Sequence, residues 1–474
     1  ASAPLKQTGV TSVGLRGLGA SGTLVLVDGR RVQLATQEDT ANDTGAGFYD
    51  LSSIPLGMVE RIEVLAEGAS AIHGSDAIGG VVNIVLRRNY TGSELQTGVR
   101  ATEAGGAFER HATLSTGIVR DKLSVNLTAS VRSREALKAA QRGFSATQDQ
   151  RDRGGRDHRL IMGSPAILRS LGTGINGVTD ENGDPARFAL VPQGQDGTNL
   201  SPSDFEGRGG FFSSRIRFFD AAPYTDLIGV QENWAVGGTA RYEFSENLQA
   251  YLTVNGGQTN FTTANDPPAT SGGGFGGTNS RVPINHPQNP FGQEVLVSMI
   301  HVEAPARPQF VDIDTIRTTA GLRGTVWEDW EWDTAATLGR EDFTSRTLDL
   351  DKNAFIAALA DGSFNPFGDP STNGPINAAL YDSLLETATI AGDSQITSLD
   401  ATLRGPAFSL GERNALLAVG VETLRAERSR ASTNPPFGRP AESDSARTSS
   451  AAFAELYVPL LRTDHFGLQL LSFR

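Results

Sequence analysis

The sequence predicts an all-β chain: a transmembrane barrel of antiparallel strands, preceded by a small mixed α/β domain. Three observations lead there. From Glu94 onward apolar and polar residues alternate with a period of two, the pattern of strands that meet a different medium on each face. Short turns alternate with long connections rich in Gly, Pro, Asn and Asp, as they do at the two ends of a membrane barrel. The 474 residues are 38% hydrophobic and include 54 glycines, and no run approaches the roughly 20 apolar residues that a membrane helix needs.

The N-terminal elements follow in order. Gly14-Leu15-Arg16-Gly17-Leu18-Gly19 leads into the β-branched strand Thr23-Leu24-Val25-Leu26-Val27. Asp28-Gly29, between that strand and Arg30-Arg31-Val32, is a strong hairpin signal. Residues Gly17 to Gly22 fit G-x-G-x-x-G, but that fingerprint works only where a helix follows and its amides meet a pyrophosphate. A strand follows here, so the glycines are read as letting the backbone turn sharply. Met58-Val59-Glu60-Arg61-Ile62-Glu63-Val64-Leu65 alternates as a strand, Glu67 to Ile78 reads as a small-residue turn and short helix, and Gly79-Gly80 is a pivot before Val81-Val82-Asn83-Ile84.

These three blocks, in this order, resemble the plug of TonB-dependent outer-membrane receptors. One departure stands out: relatives often carry Arg after the Glu-Arg-Ile-Glu-Val-Leu strand, whereas this chain has Ala66 and Glu67, which leaves no basis for a plug-to-barrel salt bridge there. The resemblance implies a plug over residues 1–92, its N-terminal part missing, and the N-terminal half of a barrel over 93–474. The full barrel would hold about 22 antiparallel strands, of which roughly 10 or 11 are expected here. The start at Ala1 in mid-pattern and the stop at Arg474 inside a strand read as the ends of a fragment.

Along the barrel, Leu123, Val125, Leu127, Ala129 and Val131 alternate with Ser124, Asn126, Thr128, Ser130 and Arg132, which places one set on lipid and the other in a polar lumen. The preceding strand, about 107–119, joins it through Arg120-Asp121. A second hairpin pairs Trp234 to Phe244 with Leu248 to Asn260 through Ser245-Glu246-Asn247. Further short turns fall at Glu328-Asp329, Gly411-Glu412-Arg413 and Arg462-Thr463-Asp464. Trp327, Trp330, Trp332, Tyr242 and Phe244 sit beside these turns, where an interfacial aromatic girdle is expected. Long extracellular loops are expected near 134–230, 261–310, 347–394 and 433–445. Connections longer than about 15 residues are unusual in compact domains and favour binding or gating.

Composition excludes several classes. There is no cysteine, hence no disulfide, thiolate metal site or Cys nucleophile. A net charge of -13 argues against nucleic-acid binding, which needs clustered cations. The six histidines are dispersed, without metal-ligand spacing. No catalytic elbow or paired-carboxylate site is present, so the chain is read as not an enzyme, with no cofactor. Asp180-Glu181-Asn182-Gly183-Asp184 has calcium-loop chemistry without EF-hand spacing and reads as a solvated turn. Asn289-Pro290-Phe291-Gly292 and Asn365-Pro366-Phe367-Gly368 repeat one turn motif in two long connections, which suggests that these have fixed structure.

The resemblance also implies a site. Siderophore receptors of the family bind ligand between the plug apex and the barrel loops; carried across, the apical turn falls on Gly19, Ala20, Ser21 and Gly22. Phe48-Tyr49 is similar to an aromatic pair at that apex, where rings pack on a rigid ligand and the hydroxyl donates a hydrogen bond; the alternative is that both rings anchor their loop. Arg16, Arg61 and Glu63 are candidates for polar plug-to-barrel contacts. The implied function is TonB-dependent uptake of a scarce, bulky nutrient across the outer membrane of a Gram-negative bacterium, with an iron-siderophore complex first and an oligosaccharide or cobalamin-like ligand behind it. Its partners would be TonB with the ExbB-ExbD complex, outer-membrane lipid and the nutrient. The alternative is a ligand-sensing signal transducer at the cell surface.

Overall fold

The computed structural model describes residues 9, 11–18, 20–35, 49–66, 74–210, 217–271, 280–305, 307–327, 329–371, 375–410, 413–433, 441–458 and 472–473. Its N-terminal sheet is built of β1 (Thr23–Val27), β2 (Arg30–Arg31), β3 (Val59–Leu65) and β4 (Gly80–Leu86) in the order β2-β1-β4-β3. β1 and β4 run parallel at its centre. Both are near-continuous runs of apolar residues because both faces are covered, and every residue of β1 is buried. Asp28 and Gly29 take φ of 49° and 81°, the two positive values that a tight hairpin turn requires. The chain turns into β4 at Gly79, whose amide donates to the Gly22 carbonyl at 2.7 Å; a Cβ there would stand 2.8 Å from the same oxygen. Of the short helix expected before this pivot, the described part is a single 3-10 turn, Gly74–Ala77.

The second sheet has eleven antiparallel strands in chain order. They are β5 (Gly92–Arg100), β6 (Glu109–Arg120), β7 (Leu123–Arg134), β8 (Val230–Ser245), β9 (Leu248–Asn265), β10 (Arg307–Val326), β11 (Trp330–Leu350), β12 (Leu385–Leu410), β13 (Arg413–Thr433), β14 (Ala441–Tyr457) and β15 (Ser472–Phe473). Its polarity is inverted relative to a soluble sheet: Leu127, Trp234, Val254, Ile316, Leu338, Leu399 and Val421 are exposed on the outside, while Asn126, Thr239, Arg241, Asn255, Arg317, Thr337 and Ser398 are buried against the N-terminal sheet. That is the alternation of a transmembrane barrel wall with a filled polar lumen.

Strands of 16 to 26 residues from β8 to β13 far exceed the roughly 9–11 residues that cross a bilayer. The ladders therefore continue beyond the apolar band. This is why β9, β10, β11 and β12 run further than their hydrophobic period indicates, into stretches read as connections: past the band the outer face carries ion pairs such as Arg340–Asp342 and Arg346–Asp312, and the sequence alternation vanishes while the backbone pairing does not. Short turns close one end of the sheet, between β6 and β7, β8 and β9, and β10 and β11.

At the other end three long connections fold together. Short strands from the first two, at 167–170, 188–190, 206–208, 269–270, 281–282 and 295–300, make one sheet. The third supplies helix α1 (Lys352–Asp361), started by Asp351, whose side chain accepts from the Asn353 and Ala354 amides, and ended by Gly362 at φ 82°. One buried core joins all three: Leu168 and Phe205, Phe291 and Val297, Phe355 and Phe367. The two Asn-Pro-Phe-Gly repeats adopt one geometry, with Asn289 Oδ1 accepting from the Phe291 amide and Asn365 Oδ1 from the Phe367 amide, each at 3.0 Å. Their rings meet in that core, 6.3 Å apart. The connections thus form a cap with its own interior. Asp180 Oδ1 accepts from the Asn182 and Asp184 amides, so this carboxylate closes a turn. Among the described residues no cluster of three His, Asp or Glu side chains is arranged to hold a metal ion.

Candidate ligand cavity and the plug seat

The N-terminal sheet sits in the concave face of the barrel sheet and is held by polar contacts to every strand from β7 to β14. Asn126 donates to the Arg87 carbonyl at 3.2 Å, Gln231 to the Gly9 carbonyl at 3.0 Å and Arg317 to the Arg31 carbonyl at 3.4 Å. Thr259 Oγ1 donates to Ser52 Oγ at 3.1 Å. On the far side, Arg30 donates to Asp333 at 2.6 Å and through two nitrogens to Asp400 at 3.0 Å each. Arg31 pairs with Asp76 at 2.7 Å and lies 3.6 Å from Glu422, and Arg447 reaches the same Asp76 carboxylate at 3.3 Å. One knob is apolar: Leu56–Met58 forms a 3-10 turn that presses Gly57 against Ser115 and Thr128 and Met58 against Gly237, where a Cβ would collide with its sulfur.

Above the Arg31–Asp76 pair lies a cavity of about 330 Å³, bounded by Ser21, Tyr49 and Asp76 on one side and by Gln395, Glu427 and Arg447 on the other. That volume lies in the range of small-molecule pockets. Tyr49 is buried; desolvation, with the Asp76 charge adding to it, pushes its phenol up to about 12, so the hydroxyl stays protonated and can donate. Burial also raises the Asp50 carboxyl next to it, which accepts from Ser52 and from the Thr11 amide. The cavity therefore offers the guanidinium groups of Arg31, Arg428 and Arg447, carboxylates and a phenol around a partly apolar floor that includes Ile396 and Leu424.

Of the apical residues singled out in the sequence, Ser21 and Tyr49 line this one cavity. Ala20 and Gly22 share the 3-10 turn of Ser21, and the Gly22 carbonyl is engaged by Gly79. Gly19 and Phe48 lie outside the described residues. Arg16 occupies the turn before β1 with φ of 57°. Arg61 and Glu63 pair with each other at 2.8 Å, with Glu60 also on Arg61 and Asn83 also on Glu63. All four belong to the N-terminal sheet, so the pairs these two charges make among the described residues lie within it. Among the described residues, pairs that cross to the barrel start from Arg30, Arg31, Asp76 and Arg87, which sequence reasoning missed. The available signal was Arg30-Arg31 itself: adjacent residues on a strand point to opposite faces, and two arginines beside a wholly buried strand need partners on both.

Residues 5–81 match the family described as TonB-dependent Receptor Plug Domain. Among solved structures, the chain is similar to the siderophore receptor PiuA from Acinetobacter baumannii (12% identity over 96% of this chain and 58% of that one, TM-score 0.41). It is also similar to the ferric-catecholate import receptor Fiu from E. coli K12 (12%, 94% and 62%, TM-score 0.38) and to the ferripyoverdine receptor of the Pseudomonas aeruginosa outer membrane (9%, 95% and 46%, TM-score 0.47). The chain spans about half the length of these receptors. Residues 5–81 thus carry a TonB-dependent receptor plug domain, whose sheet is seated against the eleven antiparallel strands that follow it.

Proposed function

We propose that this chain is the plug, residues 1–92, and the first half of the barrel, 93–474, of a receptor that takes up a scarce, bulky nutrient by TonB-dependent transport, with an iron-siderophore complex as the substrate. The observation that carries this reading is the plug seat. Among the described residues, apart from the Leu56–Met58 knob and the packing of Gly9 on Phe261, the plug is tied to the wall by hydrogen bonds and ion pairs. Such contacts exchange readily with water once an opening lets it in, so a mechanical pull can break them in sequence and they can re-form, whereas a continuous apolar interface would resist. On this reading the short turns face the periplasm and the cap faces outward. The cavity at Ser21 and Tyr49, between the plug and barrel strands β12 to β14, receives ligand, and TonB with ExbB-ExbD supplies the pull.

The test is uptake of radiolabelled iron by an iron-starved strain with the full-length gene deleted and then restored. Deletion should abolish uptake, the intact gene should restore it, and a gene lacking its TonB box should not. Restoration by both genes would sink energised transport. Unchanged uptake on deletion would sink the iron-siderophore substrate and direct the search to glycans, vitamins or surface signalling.

A further inference from the structure

Two glycine doublets on neighbouring strands, Gly237-Gly238 in β8 and Gly256-Gly257 in β9, are only half explained by the plug seat. Side chains alternate across a sheet, so each doublet leaves one bare position facing the lumen and one facing out. Inward, the bare Gly237 admits Met58. Outward, the register sets Val236 between Ala129 and Gly256, and Gly238 between Leu127 and Val254. Ala240, two residues on, continues the same outer face. Small residues there sink the floor between exposed Leu127, Trp234, Val236, Leu252, Val254 and Ile316, and the outcome is a groove of about 720 Å³ on the outside of the wall.

Its position in the membrane is fixed by its ends. On the cap side, Trp234 Nε1 donates to Gln258 Oε1 at 3.2 Å, and Gln258 stands opposite Asp314 in the ladder, so polar groups begin there. On the short-turn side, Tyr242 and Phe244 stack edge to face. Trp234 to Tyr242 rises roughly 27 Å along the strand at about 3.4 Å per residue, close to the roughly 25 Å height of an apolar barrel band. The groove therefore opens into hydrocarbon and is continuous with the lipid-facing surface. Left empty, its lining would forfeit dispersion contacts; a smooth wall lets chains slide past, but a trough walled by an indole and branched aliphatics confines one.

We propose that this groove is a lipid site, holding one acyl chain of a phospholipid from the leaflet on the cap side, with the headgroup at the Trp234–Gln258 level. It lies back to back with the Met58 socket, separated from the plug by the thickness of one strand. The site depends on the membrane barrel and not on which nutrient is transported.

The experiment uses the full-length receptor. Native mass spectrometry after graded detergent washing counts retained lipid. In vesicles of dioleoylphosphatidylcholine carrying increasing fractions of its chain-brominated form, quenching of Trp234 is read as the difference between the parent and Trp234→Phe. Ala129→Leu with Ala240→Leu fills the trough from the outside without touching the plug seat; Trp234→Ala removes a wall instead. The parent should keep one lipid through washes that strip the filled variant, a difference of about tenfold in retention, and Trp234→Ala should fall between them. Equal retention in parent and filled variant, or quenching of Trp234 that follows the bulk brominated fraction in both, overturns the site. Pairing of two copies through this face, with no lipid retained, assigns the groove to a second copy and also overturns it.

Discussion

Arg30 of the plug and Asp333 of β11 meet at 2.6 Å across the lumen, and Tyr251 of β9 donates to the same carboxylate oxygen at 2.6 Å. The guanidinium simultaneously forks onto Asp400 of β12, so one plug residue ties three barrel strands. The Arg30 side chain is 12% exposed and that of Asp400 16%, which leaves the pair little water to fall back on. Removing the cation strands two carboxylates at a cost of about 1–3 kcal/mol. Arg30→Gln is expected to loosen the plug and admit large solutes, read as greater sensitivity of cells to an antibiotic too big for ordinary pores. Arg30→Lys keeps the charge but not the fork and should fall between. Arg61→Ala should leave the barrier as it was, because Arg61 pairs within the plug. Equal leakage in the Arg30 and Arg61 variants would refute this division of roles.

The Gly57 knob makes a separate prediction. A Cβ there would stand 2.5 Å from Ser115 Oγ and 2.9 Å from a Thr128 methyl, and Thr128 is tied to Ser115 by a hydrogen bond. Gly57→Ala must therefore lift the turn off the wall, an overpacking cost of about 1–3 kcal/mol. Protease cleavage of the plug in the intact receptor should rise, with the barrel unaffected. Ser115→Ala in the same chain should recover part of the loss, because it removes the nearer atom.

What could be read from the sequence divides along one physical line. The Asp28-Gly29 turn, the outward Leu127 and inward Asn126, and the paired Asn-Pro-Phe-Gly turns were legible, because each follows from the conformational needs of a few adjacent residues. The partners of Arg30 were not: Asp333 and Asp400 are two among many lumenal carboxylates, and only the register of β11 against β12 brings them together. Arg61 and Glu63 are instructive in the opposite sense. Two residues apart on a strand they share a face, so the same period of two that identified the strand also foretold that they would pair with each other. The strand extensions beyond the membrane were hidden because their outer faces are charged, and the cap was hidden because its core is assembled from three connections distant in sequence.

That shared core predicts cooperative behaviour. Phe367 is fully buried and contacts Phe205 and Phe291, contributed by the other two connections, at ring separations of 6.1 and 6.3 Å. Phe367→Ala should cost about 3–5 kcal/mol, and hydrogen exchange should accelerate in all three connections together. Acceleration confined to residues near 367 would mean that the connections move independently and the cap is not one unit.

The cap should also respond to acid through His301. This ring is wholly buried, with Nδ1 2.9 Å from the Tyr381 hydroxyl and Nε2 3.1 Å from Thr270 Oγ1, a set that a neutral imidazole satisfies with one donor and one acceptor. Desolvation pushes its pKa down from 6.5 to about 3. Between those values the unfolded cap binds a proton that the folded cap refuses, so its stabilising contribution is complete above about pH 6.5 and is lost on acidification at about 1.4 kcal/mol per pH unit. His286, also held down by burial, adds in the same direction. Amide exchange of the cap, followed from pH 7.5 to 5, should therefore quicken as pH falls. His301→Asn should lower stability at neutral pH yet flatten that dependence, leaving the share of His286. An unchanged slope in the variant would assign the acid response to cap carboxylates instead.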